Sequence, residues 1–421
     1  MALVVPALAA QQMGTAPHPA VRAPVPPIRP IDDIKFLSDE TLGGRLTGTP
    51  GADTAAAYLA RRFKAVGLQP AAGGWFQRFQ VARDAPVAQH AHVAGLTGSN
   101  VIGLLPGHDP QLRNEAIIVG AHYDHLGLGG FGSLDPDSTG TVHNGADDNA
   151  SGAAMLIQIA ERLAAMPPAR TIVFIAFSGE ELGLLGSAYY AKQPIYPLST
   201  TLAMINLDMV GRLRQKRLIV YGAQTAKEFP ALLDSLNWHA GLDLKAQGDG
   251  YGPSDQSSFY AAGKPVLHFF TDLHEDYHRT TDDWQKINVE GMDQVARFVS
   301  GVVTALGNRP GPLSPVTAAP QMPSVGASAT PGYGAYLGTV PDMTDNPGGV
   351  RLLGVRTGSP AELAGLRGDD IITRIGEMSV PDLQAMTDAL RSHRPGDTVD
   401  ITVRRGSATT TLRATLGQRG G

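Results

Sequence analysis

Short, almost wholly apolar runs alternate along the chain with stretches whose apolar positions recur at helical spacing. The runs predict strands at AIIVGAH (116–122), TIVFIAF (171–177), LAMINLDMV (202–210) and PVLHFF (265–270). Helical spacing appears in SGAAMLIQIAERLAAM (151–166), around LGLLGSAYYA (182–191), and in a segment that ends at 306. Strands that alternate with helices predict a layered α/β domain, and their lack of polar positions predicts a sheet covered by helices on both faces.

Proline-rich and alanine-rich stretches divide the chain into predicted units. Residues 1–30 end in a proline-rich arm, and an amphipathic helix in 49–70 belongs to a domain predicted over 31–306. A linker rich in proline, alanine and serine follows at 307–331. The last unit, 332–418, carries the β-like runs VRLLGV, DIITRIG and TVDITVRR, and a helical pattern in PDLQAMTDALRSH.

Charge and cysteine content narrow the chemistry. The formal charge is −5 and lysines and arginines do not cluster, so we expect no nucleic-acid partner. The chain has no cysteine, which excludes disulfides, thiolate metal sites and a cysteine nucleophile. Any metal must therefore be held by histidine, aspartate and glutamate.

The N-terminal stretch MALVVPALAAQQ resembles the apolar part of a signal peptide. It ends near an Ala-x-Ala pattern at 7–9 but has no basic region before it. We therefore expect an incomplete leader and a periplasmic or secreted protein. No apolar run approaches the about 20 residues that a membrane span needs.

Ionisable residues follow the predicted strands one after another. Active sites of α/β domains lie beyond the carboxyl ends of the strands. Each of these residues could have an ordinary structural role on its own, for example an aspartate that stabilises a helix start. Structural roles alone would need a separate cause at each strand end, which favours one shared site. The candidates are His122, Asp124, Asp147, Asp148, Glu180, Glu181, Asp208, His274 and His278.

This donor set predicts a centre for two metal ions. Imidazole and carboxylate ligands without thiolates favour zinc, with manganese or cobalt as substitutes. Two ions that share one carboxylate need two histidines, a bridging aspartate and two further carboxylates. One carboxylate is left for a general base. Because adjacent side chains diverge, one of Glu180 and Glu181 can bind metal while its neighbour reaches a water.

Over 31–306 the chain resembles the zinc aminopeptidases of the MH clan, which also contains glutamate carboxypeptidase II-like enzymes and glutaminyl cyclases. The resemblance rests on LSDETLGGRLTGTPG, NVIGLLPG, AHYDHLG, GADDNASG, SGEELG, NLDMVG and YHRTTDD. It implies a mixed, twisted central sheet and two zinc ions. The implied ligands are His122 and His278, one on each ion, Asp148 as the bridge, and Glu181 and Asp208.

The resemblance implies further roles around these ligands. Glu180 would be the general base for a zinc-activated water, and Asp124 would orient His122. Asp282 would partner His278, and the peptide bond after Asp148 is commonly cis in the family. Tyr277 resembles a tyrosine that polarises the scissile carbonyl, and Tyr251 competes for that role. The segment GPSDQSSF is expected near the site. No ligand role is implied for His125, His143, His268 and His274, which are expected to be structural or to line the pocket.

The implied reaction is hydrolysis of the N-terminal peptide bond of a peptide with a free amine. A carboxypeptidase, an amidohydrolase or a cyclase would use the same residues, because the recognised terminus depends on the pocket loops. A further alternative is an inactive peptidase domain that serves as an adaptor. The complete ligand set and the intact Glu180 argue against that alternative. The sequence does not indicate the oligomeric state.

The unit at 332–418 resembles PDZ modules attached to bacterial proteases, most clearly in GSPAELAGLRGDDIITRIGEMSV. PDZ domains bind an extended C-terminal peptide as an added strand. The resemblance implies a small β/α domain that recruits a peptide or partner, and the alternative is a domain that only packs on the peptidase. The loop expected to hold the peptide carboxylate comprises Gly334, Ala335, Tyr336, Leu337 and Gly338.

Overall fold

A computed structural model of the chain describes two folded units. The described residues are 29–83, 91–130, 132–135, 138–248, 250–316, 335–341, 348–355, 359–381, 385–386, 389–390 and 392–417. The predicted leader and most of the predicted linker lie outside these ranges. Within them, no helix has both the length and the apolar character needed to cross a bilayer.

The larger unit is built on a mixed sheet whose centre is parallel. Strand β4 lies between β5 and β6 and is parallel to both, and β6 is parallel to β9. Strands β3 and β7 join this centre antiparallel, through β5 and β9. The order is β1-β3-β5-β4-β6-β9-β7-β8, and β2 also pairs with β3. The bounds are β1 Gln69–Pro70, β2 Phe76–Gln80, β3 Thr97–Leu105, β4 Ala116–His122, β5 Thr171–Phe177, β6 Thr201–Leu207, β7 Arg217–Tyr221, β8 Asp243–Gln247 and β9 Val266–Phe270.

Helices cover both faces of this sheet, as the apolar strands predict. Along β4, Ile117 and Val119 enter one core while Ile118 enters the other, because successive side chains of a strand point to opposite faces. The first core contains α1 Pro30–Leu37, α2 Pro50–Ala65, α3 Gly152–Ala164, α5 Phe229–Ala240 and α7 Val289–Gly307. The second contains α4 Leu185–Lys192 and α6 Gln256–Ala261. The predicted fold class is confirmed.

The hydrophobic pattern of the sequence does not predict elements that contain few apolar residues. Strand β8 is largely exposed at the edge of the sheet, so it lacks the apolar run that marks β4 and β5. Strand β6 ends at Leu207 rather than at the predicted 210. Asp208 therefore lies just beyond the strand.

The smaller unit is an antiparallel sheet with its own core, as expected of a PDZ domain. Its strands follow the order β10-β11-β12-β14-β15, with β13 on β12. Leu352, Ile372 and Ile401 are fully buried in it. The predicted helix at 381–393 lies partly outside the described residues. The elements are β10 Thr339–Pro341, β11 Val350–Val355, α8 Pro360–Leu363, β12 Ile371–Ile375, β13 Met378–Ser379, β14 Thr398–Arg405 and β15 Ala408–Thr415.

A buried ion pair joins α1 to α2 and makes a prediction for stability. Arg62 donates to both carboxylate oxygens of Asp33, at 2.7 and 3.1 Å, and both residues are buried. We expect Asp33→Asn to lower the free energy of unfolding by about 3–5 kcal/mol, because it leaves the guanidinium buried without its main partner. Urea unfolding followed by circular dichroism measures this. The control is Asp32→Asn, which removes an exposed ion pair with Arg29 and should shift the midpoint far less.

Candidate metal centre

The five predicted ligands and Glu180 converge at one edge of the larger sheet. His122 ends β4, Glu180 and Glu181 follow β5, Asp208 follows β6, and His278 lies in the loop after β9. These four strands are mutually parallel, so their carboxyl ends meet at the same edge. Asp148 comes from the irregular turn Ala146–Ser151 that precedes α3.

Asp148 lies between the two histidines. Its Oδ1 is 3.4 Å from His122 Nε2, and its Oδ2 is 3.2 Å from His278 Nε2. The peptide bond between Asp148 and Asn149 is cis, as the family resemblance implies. The amide of Asn149 donates to the carbonyl of Leu207 and accepts from Gly152, so it ties this turn to β6 and α3. One carboxylate thus faces both imidazoles, each through a different oxygen.

The remaining carboxylates divide between the two histidines. Asp208 Oδ1 is 3.4 Å and Glu180 Oε2 is 3.9 Å from His122 Nε2, whereas Glu181 Oε2 is 3.2 Å from His278 Nε2. Asp208 Oδ1 is buried and accepts no hydrogen bond within the described part of the chain. Nitrogen and oxygen donors on both sides of a shared carboxylate suit zinc. The residues present fit two ions.

His125, for which the resemblance implies no ligand role and which is expected to be structural or to line the pocket, lies at the centre itself. Its Nδ1 is 2.8 Å from Glu181 Oε1 and 3.9 Å from Asp148 Oδ2. Together with these two carboxylates it forms a group of donors that could hold an ion. His125 is close to Glu181 alone, whereas His278 Nε2 lies 3.2 Å from an oxygen of each carboxylate, and this position between the two favours His278 as the ligand. His125 then holds the other oxygen of Glu181.

The two adjacent glutamates have opposite electrostatic surroundings. Burial raises the pKa of Glu180 well above its usual range, and the charges of Glu181 and Asp208 add to this, while His122 opposes it. Burial also opposes ionisation of Glu181, but the charge of His278 and hydrogen bonds from His125 and His278 lower its pKa to about 2. The two adjacent carboxyl groups therefore differ in how readily their surroundings let them ionise.

Two of the expected supporting contacts take a different form. Asp124 approaches His122 Nδ1 with its backbone carbonyl at 3.2 Å, while its carboxylate is 3.7 Å away. That carboxylate accepts instead from the hydroxyl of Thr47 and the backbone N–H of Glu180. The expectation that Asp282 partners His278 is wrong. Asp282 accepts from the N–H groups of Asp147 and Asp148, because its loop packs against the turn that carries them.

Tyr277 and three further histidines lie near the centre. Tyr277 stacks on the ring of His278 with centroids 3.9 Å apart, and Tyr251 packs edge-on against Tyr260. The other three histidines make local polar contacts, with no metal donor group formed around them in the described chain. The contacts are His143 with Ser133 at 2.8 Å, His268 with Asn206 at 3.0 Å and His274 with Asp147 at 3.2 Å.

The segment GPSDQSSF lies beside Asp208, as the resemblance implies. The hydroxyl of Ser254 donates to Asp208 Oδ2 at 2.7 Å and is itself bonded to the amide of Asn206. Asp255 is fully buried, and burial raises its pKa to about 7. This segment therefore fixes one candidate ligand and adds another carboxyl group to the site.

A buried arginine binds the backbone around the centre. Arg45 is fully buried, and its guanidinium donates to the carbonyls of Leu37, Tyr123 (2.8 Å), Asn144 (2.7 Å) and Gly145 (2.9 Å). Burial lowers its pKa to about 10, against the opposing charges of Asp124 and Asp148. Tyr123 directly follows His122, and Gly145 lies shortly before Asp148. Arg45 thus joins the segments that carry both.

The predicted PDZ loop is described from residue 335, and Gly334 lies outside the described residues. The N–H of Ala335 donates to the carbonyl of Leu390, and that of Tyr336 to the carbonyl of Gly417, both at 2.8 Å. These two N–H groups are engaged within the domain. Gly338 has φ +84°, and a side chain there would meet Ser359, so the turn requires glycine. For Leu337 and Gly338, the role in binding a carboxylate stays a prediction.

Comparison with known proteins identifies both units. Residues 100–303 match the family model of peptidase family M28, and residues 335–416 match that of the PDZ domain. The larger unit is similar to peptidase family M28 over these residues. The family and the PDZ domain predicted from the sequence are thereby confirmed.

Curated relatives match part of the chain. The chain is 35% identical over 167 residues to the alkaline phosphatase isozyme conversion protein of Escherichia coli strain K12, covering 39% of this chain and 46% of that protein. It is 29% identical over 217 residues to aminopeptidase YwaD of Bacillus subtilis strain 168, covering 49% and 44%. The chain spans about half the length of the curated relatives it matches.

A solved structure shows the same fold. The zinc aminopeptidase BSAP from Bacillus subtilis superposes with a TM-score of 0.54 at 19% identity, over 67% of this chain and 95% of that one.

The contacts of Arg45 predict a specific effect on metal binding. We expect Arg45→Met to lower zinc affinity about 10–100-fold, because the segments that carry His122 and Asp148 lose a shared anchor. Zinc titration against a competing chelator measures this. The control is Arg170→Met, which removes another buried arginine that donates to Leu306, Arg309 and Glu115. Both variants should unfold more easily, and an equal loss of zinc affinity in both would contradict the prediction.

Proposed function

We propose that the M28 domain is an aminopeptidase that works with two zinc ions. The observation that carries the proposal is Asp148, whose two oxygens face His122 and His278 at 3.4 and 3.2 Å. Asp208 would complete the half of the centre built on His122, and Glu181 the half built on His278. Zinc bound at these residues would supply Lewis-acid chemistry and lower the pKa of a water to about 7.

Glu180 is suited to move the proton in this reaction. Its carboxylate lies at the edge of the half built on His122, 3.9 Å from Nε2, and its side chain is 9% exposed. Its backbone N–H donates to Asp124, which fixes the turn from which the side chain projects. Glu180 would take a proton from the attacking water and later pass it to the leaving amine. Glu181, held by His125 and His278, is unsuited to this task because its charge is already engaged.

A substrate with a free amine fits the site better than one with a free carboxylate, because the arginine that is bonded around the centre cannot pair with a substrate carboxylate. The charges of Asp148 and Glu181 act on Arg45 and favour its charged form. The side chain is nevertheless fully buried, and its hydrogen bonds go to backbone carbonyls. It therefore offers no surface to a substrate carboxylate. The name of the similar aminopeptidase from Bacillus subtilis supports the same reaction.

The PDZ domain would recruit peptides or partners by binding an extended C-terminal peptide at its sheet. The antiparallel sheet supports this role. The periplasmic or secreted location stays a prediction from the N-terminal sequence.

A substrate panel tests the proposed reaction. Hydrolysis of aminoacyl amides is measured with free and with N-acetylated amines, together with zinc analysis of the same protein. We expect cleavage of the free amines, loss of activity on removal of zinc, and little cleavage of the acetylated compounds. Equal cleavage of blocked and free substrates would overturn the aminopeptidase assignment and favour an amidohydrolase. Release of C-terminal residues would favour a carboxypeptidase.

The two adjacent glutamates make a paired prediction. We expect Glu180→Gln to keep its zinc and lose about 10²–10⁴-fold in kcat, because the amide cannot accept the proton. Glu181→Gln should instead lose zinc, because it removes a charged ligand. Metal analysis and steady-state kinetics on both variants check this. A Glu180→Gln protein that is fully active with zinc bound would show that another group is the base.

A further inference from the structure

A segment of the loop between β4 and Asp148 lies against the chain that carries His278. This segment, 132–135, is called the strap here. The N–H of Leu134 donates to the carbonyl of His278 at 2.9 Å. The guanidinium of Arg279 donates in return to the carbonyl of Leu134 at 3.1 Å. The strap and the chain at His278 are therefore bonded in both directions.

The carboxylate of Asp135 bonds one end of the strap to Arg279 and Thr280. Its Oδ1 accepts from Arg279 at 2.7 Å, and its Oδ2 accepts from the N–H and the hydroxyl of Thr280 at 2.9 and 3.0 Å. Bonds from a charged donor to a charged acceptor are roughly twice as strong as neutral ones. Asp135 is the residue that holds the strap to the two residues that follow His278.

Gly132, at the other end of the strap, directs the imidazole. His278 Nδ1 is 2.8 Å from the carbonyl of Gly132, so Nδ1 donates and Nε2 faces Asp148 and Glu181. A carbonyl on one ring nitrogen fixes the tautomer and the direction of the other. Gly132 has φ +77°, and a side chain there would come within 2.9 Å of Leu126. This position therefore requires glycine.

The other histidine of the centre has a different support. His122 is the last residue of β4, a strand in which every residue is buried. Its Nδ1 faces the carbonyl of Asp124, two residues further along the same chain. His278 lies in a loop with φ +56° and takes its orientation from a segment far away in sequence. The two halves of the centre thus depend on different parts of the fold.

We propose that Asp135 is a positioning residue that sets the metal affinity of the half of the centre built on His278. Through the strap it keeps the Gly132 carbonyl on His278 Nδ1, and it leaves the half built on His122 unaffected. The inference rests on the proposed function, because it requires metal binding at both halves. Asp135 itself bonds to Arg279 and Thr280 rather than to a ligand side chain.

Zinc titration of the full chain in two single-site backgrounds tests this. The His122→Ala background keeps the half built on His278, and the His278→Ala background keeps the half built on His122. We expect Asp135→Asn to raise the zinc Kd about 10–100-fold in the first background and to leave it unchanged in the second. The control is Asp293→Asn, which removes a similarly exposed carboxylate bonded to Gln158 and Arg162. It should change neither Kd.

The outcomes separate this inference from the proposed function. Equal weakening in both backgrounds, or none in the His122→Ala background, would overturn the role of Asp135. A chain without any of these substitutions that binds no zinc would overturn the proposed function, and the inference with it. Should Asp135→Asn fail to fold, as judged by circular dichroism, Arg279→Met removes the charged partner from the other side and gives the same comparison.

Discussion

The burial of several carboxylates beside two imidazoles is the constraint on which the rest of this domain depends. Asp148, Glu181 and Asp208 lie within 3.4 Å of a histidine nitrogen, and their side chains are at most 13% exposed. Two like charges about 4 Å apart repel by about 4 kcal/mol at the effective dielectric of a protein near its surface. Such a cluster persists only when protons or cations balance it. The fold brings these groups together, and favourable contacts elsewhere in the domain offset their repulsion.

The buried strands and the hydrogen bonds around them hold the carboxylates in place against this repulsion. The parallel strands β4, β5, β6 and β9 deliver the ligands at one edge of the sheet, and helices cover both faces. Arg45 then ties the exit of β4 to the turn before Asp148 by bonds to carbonyls. The positive charge of Arg45 lies near the carboxylates. Its hydrogen bonds go to backbone carbonyls, so the carboxylate oxygens that face the histidines stay available to a metal.

The supports of the two halves differ in kind, which bears on how the site could be tuned. His122 is held by a buried strand and is 1% exposed, whereas His278 is 10% exposed and is held by a loop. Glu181 also depends on a neighbour from outside its own strand, His125. Changes in the strap can therefore act on the half built on His278 while the sheet preserves the half built on His122.

The sequence predicts the elements whose signal is local. The apolar runs give β4 and β5 with their observed bounds, because a strand buried on both faces has no polar positions to confuse the pattern. Edge strand β8 has no such signal, and the pairing order of the strands is set by long-range contacts that periodicity does not encode.

The ionisable candidates could be named because they follow these strands, and the choice of ligands among them rests on the family resemblance. Their partners could not be named from local pattern. The contact between His125 and Glu181, and that between Gly132 and His278, join residues far apart in the chain. Asp282 was predicted beside His278 from its motif, and it bonds to the turn at Asp148 instead, because that turn presents two N–H groups to it.

Anomalous X-ray diffraction from crystals grown with zinc tests the central claim most directly. We expect two zinc peaks, one between His122 and Asp208 and one between His278 and Glu181, with one oxygen of Asp148 directed at each. A single peak, or an ion ligated by His125 with His278 turned away, would contradict a centre that is built on a shared Asp148.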